Sequence, residues 1–107
     1  MTGRLPSGLL VSALLRRVND AGGFGVVLAR GDAQAGAILV VALDGGERRL
    51  FERGIGPEGR GSLIDSTPKG DVDEYWRRRR ARDPDLWIIE LDIPAAERLV
   101  AETLLVV

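Results

Sequence analysis

Cysteine and histidine are both absent from this chain of 107 residues. Their absence excludes disulfides, thiolate zinc sites and imidazole-ligated metals. It also excludes Ser-His-Asp triads and cysteine nucleophiles. Lysine is nearly absent: of 15 basic residues, only Lys69 is not an arginine. Aromatic residues make up 5% and are Phe24, Phe51, Tyr75, Trp76 and Trp87, so the core must be mostly Leu, Val, Ile and Ala. No apolar run approaches the ~20 residues of a membrane-spanning helix. Residues 1–6 carry neither the basic region nor the long apolar run of a secretory leader. Cytoplasmic location is therefore expected, with no membrane partner. An excess of one charge is also missing: 15 basic residues face 16 acidic ones, for a net charge of −1. That balance disfavours a strongly basic nucleic-acid module.

What remains is ordinary globular composition, 45% apolar and 29% charged. The length suits one domain over residues 1–107. A chain this short buries only about 60–65% of the surface its unfolded form exposes. With no cross-link, it must rely on packed aliphatic side chains or on a partner subunit. The 14 glycines and the preference for Arg over Lys read as compositional bias, so Arg abundance says little about phosphate recognition.

Apolar spacing near 3.6 predicts a helix over residues 9–21, with Leu10, Ala13, Leu14, Arg17 and Val18 on one stripe. Ser7 is its expected N-cap and Gly22-Gly23 its stop. Residues 24–30 and 37–43 read as strands, the second apolar throughout. The turn signal Asp44-Gly45-Gly46 leads into a more polar strand over residues 48–53, expected nearer an edge. Residues 54–70 are rich in Gly, Pro and Ser and are expected to be the most mobile segment, with a short strand at 62–65. Asp71, with Glu74 at the capping-box position, opens a helix that runs to about Asp83 and stops at Pro84. Residues 86–93 form the clearest strand. Trp87, Ile89, Leu91 and Ile93 face one way, and Leu86, Ile88, Glu90 and Asp92 the other. Pro94 is expected in the first turn of a last helix, whose buried stripe is Ala96, Leu99, Val100, Thr103, Leu104 and Val107. Short links between the first strands imply antiparallel neighbours. The expected fold is α+β: a single mostly antiparallel sheet of four to five strands with two to three helices packed on one face.

Four features invite a chemical reading. Gly54-Ile55-Gly56-Pro57-Glu58-Gly59 spells G-x-G-x-x-G, but no helix or parallel βαβ unit follows to receive a pyrophosphate, so a loop is expected. Arg30-Gly31-Asp32 is read as a turn between strands. The Arg-rich helix 71–83 offers Arg77, Arg78, Arg80 and Arg82 as anion or nucleic-acid candidates beside Trp76. Its acids, Asp71, Asp73, Glu74, Asp83 and Asp85, balance these arginines. The pairs Asp73–Arg77 and Glu74–Arg78 have favourable i,i+4 spacing, so a solvated, dipole-matched helix with Trp76 in the core is the preferred reading. The remaining chemistry-bearing groups are Asp85, Glu90 and Asp92, carboxylates that can act as an acid–base pair or hold a divalent ion. Their spacing fits no calcium loop, and the outer face of a strand is an ordinary place for acids. No cofactor and no metal site are expected.

Two stretches resemble a known family. They are Val11-Ser12-Ala13-Leu14-Leu15-Arg16-Arg17-Val18, continuing through Gly22-Gly23-Phe24 to Arg30-Gly31-Asp32 and Ala35-Gly36-Ala37-Ile38, and Asp83-Pro84-Asp85-Leu86-Trp87-Ile88-Ile89-Glu90. Together they resemble the small bacterial proteins of the domain of unknown function 1491. Residues 54–70 depart from that pattern and are shorter. The resemblance implies a cytoplasmic bacterial protein. The family has no assigned activity, so no functional position carries over.

The leading functional expectation is a non-catalytic protein-interaction module that self-associates, because 107 residues offer little interior for so much Leu, Val and Ile. The strand 48–53 and the last helix are its expected two-fold surfaces. The alternatives are a nucleic-acid or anion-binding accessory protein using the Arg-rich helix, and a small carboxylate-dependent enzyme.

Overall fold

The computed structural model describes residues 5–105. The elements run α1 (Ser7–Asp20), β1 (Phe24–Ala29), β2 (Ile38–Asp44), β3 (Glu47–Ile55), β4 (Gly61–Asp65), α2 (Val72–Arg82), β5 (Trp87–Asp92) and α3 (Ala96–Leu104). The five strands form one open sheet in the order β1-β5-β2-β3-β4. Every pairing is antiparallel except β2 with β5. The fold is α+β with a mostly antiparallel sheet, as the pattern of periodicities predicts.

The two most apolar strands, β2 and β5, lie side by side in the middle. Leu39, Val40, Val41, Ile88, Ile89 and Leu91 are fully buried there. Alternation along each strand divides these side chains between two faces. On one face Ile38, Val40, Ala42, Phe51, Trp87, Ile89 and Leu91 meet α1 and α3. On the other, Leu39, Val41, Leu50, Leu86 and Ile88 meet Val72, Tyr75 and Trp76 of α2. Two helices thus share one face, and the third covers the opposite one.

The local chemistry of most elements matches the sequence reading. Gly22, at φ +86°, ends α1, and the Gly23 N–H donates to the Val18 carbonyl at 2.9 Å. Gly45 and Gly46, at φ +61° and +90°, make the two-residue β2–β3 turn. Positive φ at both positions matches the twist of a hairpin. Asp71 caps α2 by accepting the Glu74 N–H at 2.9 Å.

Several expectations are corrected. Ser7 does not cap α1: the N-cap is Pro6, and the Ser7 hydroxyl donates to the Gly36 carbonyl. Ala13 is exposed and Val11 takes its place on the buried stripe of α1. Pro94 precedes α3, whose N-cap is Ala95. Val107, expected on the buried stripe of α3, lies outside the described residues. β1 and β2 are not neighbours, because β5 inserts between them. Strand 48–53 is no edge, since β4 pairs along it as well as β2. The segment after it is a hairpin in place of a loose loop: β3 runs to Ile55, and the Gly56 N–H donates to the Arg60 carbonyl at 2.7 Å.

Candidate functional site

β1 forms one outer edge of the sheet. Its sequence, Phe-Gly-Val-Val-Leu-Ala, contains no charge and no proline. Edge strands in soluble proteins usually carry such residues to prevent pairing with other chains. Phe24 is 69% exposed, and Val26 and Leu28 are also exposed. The register with β5 shifts between Val27 and Ala29, so Leu28 sits at a bulge that bends the end of the strand. On the other face, a groove of about 450 Å³ runs beside the strand, with Leu9, Leu15, Val27 and Trp87 among its lining residues. The opposite edge differs: β4 spans five residues, ends in Asp65, and pairs that carboxylate with Arg49 at 2.7 Å.

Next to the far end of β1, two distant stretches lock together. The loop at Gly31–Gly36 wraps the carbonyl of Asp85, which accepts the Asp32 N–H at 2.9 Å. A Cβ at Gly31 or Gly36 would collide with that same carbonyl. The Asp32 carboxylate accepts the Ala35 N–H at 2.8 Å, and the Trp87 indole N–H donates to the Asp32 carbonyl at 2.8 Å. Arg30 lies over the Trp87 ring at 5.6 Å. The Arg30-Gly31-Asp32 turn is therefore a fastening of the β1–β2 link onto the turn that starts β5.

The arginine candidates do not converge. Arg77 is exposed and stacks on Trp76 at 5.1 Å, and Arg78 pairs with Glu74 at 3.7 Å. Arg80 is partly buried and donates Nη2 to the Arg30 carbonyl at 2.9 Å, while its Nε is buried without a partner. Arg82 is exposed at the last residue of α2. Trp76 packs against the second core cluster, and its indole N–H donates to Asp73 at 3.0 Å.

The carboxylate candidates are likewise spread along β5. Asp85 sits in the turn before it, with its N–H donating to the Asp83 side chain at 3.1 Å. Glu90 lies 3.5 Å from Arg48, and Asp92 is exposed beside Phe24. Among the described residues, no three acidic side chains come together as a metal cage.

The polar network that does form lies between α2 and the sheet. Glu52 receives both Nη groups of Arg79, at 2.6 and 3.0 Å, and the Ser66 hydroxyl. Burial pushes its carboxyl pKa up, but these donors outweigh that and hold it below its usual value. Arg48 reaches Asp73 at 2.7 Å. With the Trp76 indole N–H, Arg48 lowers the Asp73 pKa to about 2. Asp73 thus serves β3 in place of the expected i,i+4 pair with Arg77. Helical spacing places Arg79 on the sheet-facing stripe with Tyr75 and Trp76, but neither Arg48 nor Glu52 carries a local signal, because their partners lie 25 and 27 positions away.

Among the described residues, no helix is long and apolar enough to cross a membrane. No curated protein matches the chain. Solved structures do. A crystal structure of a DUF1491 family protein from Caulobacter crescentus CB15 superposes with a TM-score of 0.79 at 34% identity, covering 90% of this chain and 94% of that one. An NMR structure of a DUF1491 family protein from the same organism gives 0.73 at 35% identity, covering 89% and 91%. The solution structure of Atu0922 from A. tumefaciens gives 0.74 at 30% identity, covering 96% and 95%. The family model described as "Protein of unknown function (DUF1491)" matches residues 5–101, and the chain belongs to that family.

Proposed function

We propose that this is a non-catalytic protein-interaction module of the bacterial cytoplasm, and that it works at the open edge formed by β1. The observation that carries this reading is Phe24, 69% exposed on an edge strand without charge or proline. The backbone groups on that edge need hydrogen-bond partners, which an added strand provides, and the alternate side chains give the added strand apolar contact on both faces. The nucleic-acid and carboxylate readings rank below it. Arg78 and Arg80 already have protein partners, and Glu90 is engaged by Arg48.

The test is affinity capture from the native cell with the wild-type chain and with Phe24→Lys, a variant confirmed as folded by circular dichroism. Species retained by the wild type and lost with the variant support the edge. An identical set of retained species removes it.

A further inference from the structure

We infer that the groove between α1 and β1 is a binding site for a small aliphatic carboxylate, with the tail lying along the groove and the carboxylate held by Arg30. This goes beyond the reading of β1 as a working edge and does not depend on it. Val27 packs on the α1 face, where the groove lies, and alternation turns Phe24 and Val26 to the opposite one.

The walls are apolar and held by the fold. Leu9, Val11 and Leu15 come from α1, Val27 from β1 and Trp87 from β5. Val11 and Trp87 belong to the core. Ala33 and Gln34 also line the groove, and their carbonyls are pinned to α1 by the Gly8 and Ser7 N–H groups at 2.8 and 3.2 Å. A volume of about 450 Å³ is that of a small-molecule site, and such sites are mostly apolar with a few convergent polar groups. Leu9 is 53% exposed, so a tail laid against it removes apolar surface from water.

The charge of the groove is positive. Among the described residues, Arg30 is its charged lining residue and no acid lines it. The Arg30 guanidinium lies over the Trp87 ring, and the indole N–H bonded to the Asp32 carbonyl fixes that platform. Arg17, Arg48, Arg49 and Arg79 each meet a carboxylate within the fold. Arg30 makes no ion pair among the described residues. Its neighbour Asp32 turns its carboxylate into its own loop, onto the Gln34 and Ala35 N–H groups at 3.2 and 2.8 Å. The first turn of α1 carries no acid, so the positive end of the helix dipole adds to the field. A single guanidinium fork matches one carboxylate through paired N–H bonds. A phosphate dianion brings more charge than one arginine answers. Leucine and valine walls suit an aliphatic tail, since one face of the indole is already taken by Arg30.

The experiment is titration of the full chain with octanoate and with octanol, followed by amide chemical shifts. The expected result is saturable octanoate binding, with shifts centred on residues 9–15, Val27 and residues 30–34, and octanol bound about tenfold more weakly. Arg30→Gln should bring octanoate down to the octanol level and leave octanol unchanged. Leu9→Gln should weaken both several-fold. Octanoate that does not saturate by millimolar concentration overturns the site. So does octanol bound as tightly as octanoate, an octanoate affinity unmoved by Arg30→Gln, or shifts centred elsewhere on the fold. Phe24→Lys should leave octanoate binding unchanged, because Phe24 is on the other face. Loss of cellular species with Phe24→Lys and loss of octanoate with Arg30→Gln are therefore separate results, and either reading can fail without the other.

Discussion

Arg79 grips Glu52 with both arms of its guanidinium across the α2–sheet boundary, although the two residues are 27 positions apart. The pair is partly buried, with side-chain exposures of 31% and 20%. Removing one member leaves a desolvated charge without its counterpart, whereas replacing both with apolar residues does not. Arg79→Met is expected to cost about 2 kcal/mol, read from urea denaturation. Arg79→Met with Glu52→Leu should cost less than that single change, and a double variant that loses the sum of the two single effects would contradict the pairing.

Gly36 has no room for a side chain. A Cβ there would meet the Asp85 carbonyl and the backbone of Asp32, neither of which can rotate aside. Gly36→Ala is expected to destabilise by about 2 kcal/mol or more, the scale of an overpacked site. Gly70 is the internal comparison, since nothing lies within 4 Å of an added Cβ and its φ is ordinary. Gly70→Ala should fall within about 0.5 kcal/mol of wild type or be slightly stabilising. Thermal melts of the two variants distinguish them.

Ala95 holds φ +58° at the N-cap of α3. An L-residue in the left-handed region is strained by its Cβ, and glycine is not. Ala95→Gly is therefore expected to raise stability by about 0.5–1 kcal/mol, despite the greater freedom of the unfolded chain. A lower melting temperature would show that the Cβ contributes packing that outweighs the strain.

Acid should weaken the fold, and the two carboxylates with the largest downward shifts are Asp65 and Asp73. Asp65 is lowered from 3.8 to about 2 by the Thr67 hydroxyl, Arg49 and the Thr67 N–H. Asp73 is lowered from 3.8 to about 2 by Arg48 and Trp76. A carboxylate with a depressed native pKa contributes stability above its unfolded pKa and loses it as pH falls through the native one. The loss is therefore expected between about pH 4 and pH 2. Both side chains are more than a third exposed, so solvent screening keeps each contribution small. Asp73→Asn should flatten the stability profile in that window and leave the neutral-pH slope unchanged, as followed by denaturant midpoints at stepped pH.

Much of the architecture was legible because its signals are local. The helical spacing of Leu10, Leu14 and Val18, the Asp71 cap, the Gly45-Gly46 turn and the alternation from Trp87 to Ile93 each depend on residues within one or two turns of each other. The site was less legible. The lack of charge and proline in Phe24–Ala29 is plain in the sequence, but it marks an open edge only once the strand is known to be outermost. The polar strand around Arg48 looked more like an edge, yet its charges answer α2, α3 and β4 from an interior position.

The amino-acid sequence by itself determined the element types, their approximate limits and the division of each amphipathic strand into two faces, because backbone propensity and side-chain alternation act over a few residues. Strand order was decided only in three dimensions. Residues 30–37 are long enough to step over one strand spacing or two, at about 4.8 Å each. What placed β5 between β1 and β2 was burial of the most apolar strands on both faces, together with the closure of Gly31 and Gly36 around the Asp85 carbonyl. That choice left Phe24 on the rim, since a five-stranded open sheet must leave two strands outermost and the least costly ones to leave there are those whose removal from the centre uncovers the least core.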